Sequence, residues 1–219
     1  MIRAIVFDFD GTLIDSLTTL IPVVQHLAKL RGLRVPSSEE IRPLWGLDSD
    51  LFIRTLWPTA DTQAFHEAWK EYEGEHQLYC PPYPGAVSTL QLLRDAGRAT
   101  VLHTNRESNL EEYLRDAGMN LSLFDFILSR LDGFPPKPDV RSLQAVLAHL
   151  ERNFEISHPA LTCVVSDQAQ DATMALACGC KFIGVLTGAA TNEDFEPLCT
   201  QGIIVVPSIA DIPGVFPAL

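Results

Sequence analysis

The sequence predicts an α/β protein: a doubly wound, mainly parallel sheet of the Rossmann-like kind, interrupted by an all-helical insertion. Three observations carry this reading. Short β-branched or apolar runs recur at 4–7, 100–102, 161–165, 181–186 and 203–206, each set off by turn-forming residues. Near-continuous apolar runs of this kind read as strands buried on both faces, as in a parallel sheet. Helical periods lie between the later runs, and strand, helix, strand in alternation implies right-handed crossovers. One stretch, from Ser16 to about Cys80, holds helical patterns and no convincing strand.

The first strand, Ala4–Phe7, leads straight into Asp8-Phe9-Asp10-Gly11-Thr12. The helices of the insertion follow: 17–30, stopped by Gly32; 38–44, opened by Ser37; 49–56; and 61–78, with Asp61 as its N-cap. Short polar side chains at those caps satisfy N–H groups that the first turn leaves free. Pro36 and Pro58 punctuate the helices, and Pro81-Pro82-Tyr83-Pro84-Gly85 closes them off. The expected division is therefore a helical cap over 16–81 and a core made of 1–15 and 82–219. In the core, 85–96 places Val87, Leu90, Leu92 and Leu93 on a helical period and stops at Gly97, where a left-handed residue ends a helix without strain. The 110–117 pattern stops likewise at Gly118. Over 140–150, Leu143, Val146, Leu147 and Leu150 line one helical face.

Composition narrows the function classes. A chain of 219 residues, 47% apolar and 20% charged, can bury a substantial core. Sixteen Lys and Arg against 28 Asp and Glu leave a net charge of −12, a field that repels polyanions, so nucleic acid and anionic membrane surfaces are poor partners. Any small phosphorylated molecule meets the same repulsion, and a site for one needs a local source of positive charge. No segment approaches the ~20 apolar residues of a membrane-spanning helix, and the N-terminal apolar run is too short for a secretory signal. The five cysteines, Cys80, Cys163, Cys178, Cys180 and Cys199, show neither a disulfide framework nor zinc-site spacing. A reducing, cytoplasmic setting is the expectation. The oligomeric state is left open.

Open parallel sheets place ligands beyond the carboxyl ends of their strands, so the residues after each run matter most. Asp8 and Asp10 lie two apart on an extended chain and point the same way, while Gly11 permits the sharp turn out of the sheet. Thr104 and Asn105 follow the 100–102 run with a hydroxyl and an amide; Ser166 and Asp167 follow 161–165, with Asp171 four residues on. Lys137 stands between prolines in Phe134-Pro135-Pro136-Lys137-Pro138, a loop stiff enough to restrict where its ammonium points. Carboxylates gathered at one sheet edge repel each other unless some are protonated or a cation sits among them. A hard cation with oxygen ligands, Mg²⁺ by preference, answers that need and, with Lys137, supplies the positive charge that a phosphorylated ligand requires. In such a pocket one carboxylate can attack phosphorus, and a second two residues away can protonate the leaving oxygen and later deprotonate water. Thr104, Asn105 and Lys137 would hold the phosphoryl oxygens.

The run Asp8-Phe9-Asp10-Gly11-Thr12-Leu13-Ile14-Asp15-Ser16 resembles the first motif of the haloacid dehalogenase-like hydrolase superfamily, DxDGTLxDS, and Thr104, Lys137 and the Asp167…Asp171 pair stand where its other three motifs fall. Tyr83-Pro84-Gly85 is similar to the family's return from cap to core. The resemblance spans essentially the whole chain and is greatest to the phosphoglycolate-phosphatase-like branch. It implies Asp8 as nucleophile and Asp10 as general acid and base. The metal would be held by Asp167, the Asp8 carboxylate and the Asp10 carbonyl, with Asp171 in support, and phosphate by Thr104 and Lys137. The expected activity is Mg²⁺-dependent hydrolysis of a small phosphorylated metabolite through an aspartyl phosphate on Asp8. A phosphomutase using the same nucleophile and a non-catalytic ligand-binding relative are the competing expectations. The sequence departs from the family at Ser166, where Gly is usual, at Gln168, often Ser or Thr, and at Arg106, commonly Lys; Arg106 is expected either to help a substrate anion or to face solvent. His103 is expected to be a hydrogen-bonded core residue, Trp45-Gly46-Leu47 a cap loop facing the site, and Arg42 and Arg54 weaker candidates for a substrate anion.

Overall fold

The computed structural model describes residues 1–107 and 110–216. Strand β1 (Ala4–Phe7) is followed by helices α1 (Ser16–Leu30), α2 (Ser38–Ile41), α3 (Ser49–Leu56) and α4 (Thr62–Glu75). Then come α5 (Ala86–Asp95), β2 (Ala99–His103), α6 (Leu110–Asp116), β3 (Phe126–Leu128), α7 (Val140–Phe154) and β4 (Thr162–Ser166). The chain finishes with α8 (Ala169–Ala177), β5 (Lys181–Val185), α9 (Asn192–Cys199), β6 (Ile204–Val206) and α10 (Ile212–Val215).

The six strands form one parallel sheet in the order β3-β2-β1-β4-β5-β6. The chain begins at the centre, winds out to one edge, and returns to build the other half, so the loops after β1 and β4 diverge and leave a crevice between them. Apolar side chains leave both faces. Ala4, Val6, Val101, Val164 and Phe182 pack with Leu143, Val146 and Leu150 of α7, while Ile5, Phe7, Leu102, Val165 and Ile183 pack with Leu90 and Leu93 of α5. This two-sided burial explains why the strands read as unbroken apolar runs.

The helical insertion is not isolated from the sheet: Leu20, Val24, Ile53 and Phe65 belong to the same contiguous apolar cluster as Ile5 and Phe7. Two of its caps are those the sequence predicts, Ser37 accepting from Glu40 N and Asp61 from Ala64 N, while Asp15 and Asp48 cap α1 and α3. The two chain segments that join it to the sheet lie side by side, tied by Asp15 N to Pro81 O (2.8 Å) and Tyr83 N to Leu13 O (3.0 Å). Among the described residues no helix is long and apolar enough to cross a membrane, and all five cysteines are free, with Cys80, Cys163 and Cys180 buried.

Several elements differ from the sequence reading. β3 is a three-residue edge strand, too short for a recognisable apolar run, and α8, α9 and α10 lack a clean helical period. The 38–44 helix is α-helical only to Ile41 and continues as a 3₁₀ turn over Arg42–Leu44, because Pro43 has no N–H to extend the ladder. The 61–78 helix ends at Glu75.

Candidate active site

Parallel register sets the site. Phe7 stands opposite Leu102 on β2 and Val165 on β4, so the next residue, Asp8, lies level with His103 and Ser166, and its N–H donates to Val165 O (2.9 Å). The chain then turns tightly, with Leu13 and Ile14 N–H groups both donating to Phe9 O. Gly11 makes this turn at φ +79°, where a Cβ would fall 2.5 Å from Asp167 Oδ2. Thr12 closes the crevice: its hydroxyl donates to Asp167 Oδ1 and accepts from Asp167 N, each at 3.0 Å.

Two carboxylates then meet one ammonium. Lys137 Nζ lies 2.7 Å from Asp8 Oδ1 and 2.8 Å from Asp171 Oδ2, all three side chains at most 7% exposed. Ser166 Oγ donates to Asp171 Oδ2 (2.8 Å). Its small hydroxyl, in place of the family's usual glycine, thus becomes a link in the network. Asp167, fully buried, accepts from Ala189 N (2.7 Å) and from Gln168 Nε2 (3.2 Å). Burial, reinforced by Asp171 and Asp167, outweighs the Lys137 ammonium and pushes Asp8 up to about 7. Burial also pushes Asp167 up, to about 6, against the pull of the Ala189 N–H, the Thr12 hydroxyl and Lys137. Lys137 is held protonated by Asp171 and Asp8 in spite of its burial.

Asp10 takes a different partner. Its carboxylate is gripped at two points by Arg106, through Nε to Oδ2 (3.2 Å) and through a second guanidinium nitrogen to Oδ1. That guanidinium lies 3.9 Å over the Tyr113 ring and is kept charged by Asp10 although burial opposes it. Arg106 therefore neither faces solvent nor stands free for an anion. Because the pair is nearly dry, Arg106→Met should cost about 3 kcal/mol, the penalty of leaving one buried partner uncompensated; urea denaturation measures it.

Thr104 is buried at the end of β2, its hydroxyl oxygen accepting from Arg106 N (3.1 Å). The Asn105 amide is engaged at both ends: Nδ2 donates to Gly46 O (2.9 Å) and Lys137 O (3.0 Å), and Oδ1 accepts from Lys137 N (2.7 Å). Gln168 Nε2 reaches Trp45 O (2.7 Å). Two core side chains thus pin the Trp45-Gly46-Leu47 loop beside the carboxylates. Arg42 donates to Gly188 O (2.9 Å) and so braces the loop after β5, while Arg54 is exposed. His103 is buried with its pKa lowered by burial and by Lys137, but its Nδ1 has no hydrogen-bond partner among the described residues. Asp8, Asp10, Thr104, Asn105, Arg106 and Lys137 share one cavity of about 490 Å³.

Gly188 shows how closely Asp167 is enclosed: a Cβ there would lie 1.9 Å from its Oδ2. Asp167 has no space to retreat into, so Gly188→Ala should lose at least about 2 kcal/mol in chemical denaturation, as overpacked cores do.

The donors suit a hard cation. All are oxygens, and one ammonium does not balance the carboxylates of Asp8, Asp167 and Asp171. Among the described residues no three or more His, Cys, Asp or Glu side chains are grouped so that they could hold a metal ion by themselves, so a cation here would need further oxygen ligands, from backbone carbonyl, water or substrate phosphate, as Mg²⁺ takes.

The sequence profile described as haloacid dehalogenase-like hydrolase matches residues 5–185. This chain belongs to the haloacid dehalogenase-like hydrolases. Among curated members, it is 27% identical over 212 residues to the phosphoglycolate phosphatase of Synechococcus elongatus, covering 94% of each chain. It is also 27% identical over 197 residues to the phosphoglycolate phosphatase of Neisseria gonorrhoeae, covering 85% of this chain and 81% of that one. Among solved structures, a hydrolase from Pseudomonas syringae superposes with a TM-score of 0.79 at 20% identity over 99% of both chains, which shows a shared fold. The motif residues that the sequence reading singled out, Asp8, Asp10, Thr104, Lys137, Asp167 and Asp171, meet at the switch point of this hydrolase fold. Arg106 and Gln168 entered that reading only as departures from the family pattern, and their partners, 96 and 123 residues away, leave no local signal.

Proposed function

We propose that this hydrolase is a Mg²⁺-dependent phosphatase that cleaves a small phosphorylated metabolite through an aspartyl phosphate on Asp8. The observation that carries the reading is that Asp8 and Asp10 open onto one cavity, with Thr104 and Lys137 beside them. An Asp8 oxygen attacks phosphorus as the ester oxygen departs. Asp10 gives that oxygen its proton, then takes one from the water that hydrolyses the acyl phosphate. Lys137 and the Thr104 hydroxyl meet charge on the phosphoryl oxygens. Asn105 serves the same oxygens indirectly, by fixing the backbone at Lys137. Arg106 sets the direction in which Asp10 points. The metal would be held by the Asp8 carboxylate, the Asp10 carbonyl and Asp167, with Asp171 supporting through Lys137 and Ser166. When bound, Mg²⁺ offsets the mutual repulsion of carboxylate and phosphate.

Residues 16–81 act in this reading as a cap on a core of 1–15 and 82–219, and the paired linkers at Asp15–Pro81 and Leu13–Tyr83 are where the two would flex. The relatives named phosphoglycolate phosphatase support the reaction class. The test is inorganic phosphate release from a panel of phosphomonoesters, with Mg²⁺ and with chelator. Metal-dependent release is expected; none from any ester would overturn the reading.

A further inference from the structure

The cavity over the carboxylates is larger and far more apolar than a two-carbon acid needs. Beyond the polar end Leu20 and Val24 of α1, Trp45, Phe52 of α3, and Phe65 and Trp69 of α4 supply most of its wall, among polar side chains that include His66 and Glu73. Its volume, about 490 Å³, falls within the roughly 300–1,000 Å³ of sites that enclose whole organic ligands. Three of the wall residues, Leu20, Val24 and Phe65, are anchored in the core at no more than 3% exposure. Trp45 and Phe52 are held by specific contacts, and Trp69 packs half-buried against the core cluster. Trp45 stands edge-on to Phe52 with centroids 6.0 Å apart, its indole N–H donates to Ser16 Oγ (3.1 Å), and its carbonyl is gripped by Gln168. The Trp45 and Phe52 rings thus brace each other at the edge of the space.

The cations do not suit a small acid. Of those lining the cavity, Lys137 is committed to Asp8 and Asp171, and Arg106 to Asp10; Lys70 is exposed. A carboxylate on the leaving group would lose hydration against apolar walls with no buried cation to replace it, whereas an apolar body would displace water that those walls hold poorly.

We infer that the phosphate ester hydrolysed here carries an apolar, ring-sized leaving group, seated against Trp45, Phe52 and Trp69, an inference that rests on the phosphatase reading above. The test compares kcat/KM for 2-phenylethyl phosphate, ethyl phosphate and 2-phosphoglycolate with Mg²⁺ present; the first two have leaving alcohols of similar reactivity and differ in apolar size. Phenylethyl phosphate is expected to exceed ethyl phosphate by on the order of 10- to 100-fold and to exceed phosphoglycolate as well. Trp69→Ala and, separately, Phe52→Ala should each lower the phenylethyl-to-ethyl ratio several-fold, with folding checked by thermal melt. A ratio near one, or phosphoglycolate as the best of the three, would overturn the inference and leave the phosphatase reading standing. Release from none of the three would overturn the inference, and the wider ester panel above decides the phosphatase reading separately.

Discussion

Asp8→Asn is expected to lower kcat by at least a factor on the order of 10³, since the amide cannot form the acyl phosphate and the other groups act only around that step. The same change should make the metal-free protein more stable at neutral and alkaline pH. The sign follows from the raised pKa. Asp8 titrates at about 7 in the folded chain against 3.8 as a free side chain, so between those values the folded state binds more protons than the unfolded one. Its stabilising protonation is fully present below about pH 4 and is lost as pH rises through 7. Removing the charge abolishes that loss, and Lys137 keeps Asp171 as a partner. Activity and stability therefore move in opposite directions, as expected of a residue kept for chemistry. Steady-state kinetics and denaturation at pH 5 and pH 8 measure both; an active variant, or one no more stable than the parent at pH 8, contradicts this account.

Lys137→Met is expected to act the other way on stability while also removing activity. The ammonium is 5% exposed and lies within 2.8 Å of both Asp8 and Asp171. Without it two buried carboxylates face each other uncompensated, a loss of about 3–5 kcal/mol. Lys137 is pinned protonated well above its usual range, so its contribution is fully present across the neutral range and lost only in strong alkali. The deficit of the variant should nevertheless be smaller at pH 5 than at pH 8, because acid neutralises Asp8, whose carboxyl burial holds well above its usual range. Added Mg²⁺ should recover part of the stability at pH 8 by mass action. Phosphatase activity is expected to fall by about 10²- to 10³-fold, the usual loss when one preorganised charge at a transition state is removed. Lys137→Arg should not rescue it, since a planar guanidinium does not fit a slot shaped for a compact ammonium.

Both residues were legible in the sequence, for different reasons. Asp8 and Asp10 announce themselves locally: an apolar strand, two carboxylates with a period of two, and a glycine turn all lie within a few residues. Lys137 is marked by the prolines around it and by its place in an ordered set of motifs, but nothing near it shows that its ammonium is buried between two carboxylates. Arg106 read as a residue for solvent or substrate, and proved to be the partner of Asp10. Gln168 read as a departure from the family pattern, and proved to hold the Trp45 loop against the core. β3 went unseen because three residues at a sheet edge carry too little apolar signal, and its place is set by pairing with β2.

The fold class, the run of helices after the first strand and two of their caps were legible from local pattern, because each depends on residues within about one helical turn or one strand of each other; the motif residues were legible as an ordered set spread over the whole chain. Which carboxylate faces which cation, the pinning of the loop over the site by two core amides, and the largely apolar wall opposite the phosphate end emerge only in the folded chain. Those contacts join residues tens to more than a hundred positions apart. They exist only once parallel register brings the ends of β1, β2 and β4 level and the apolar cluster packs α1, α3 and α4 above them, and no local pattern encodes that register.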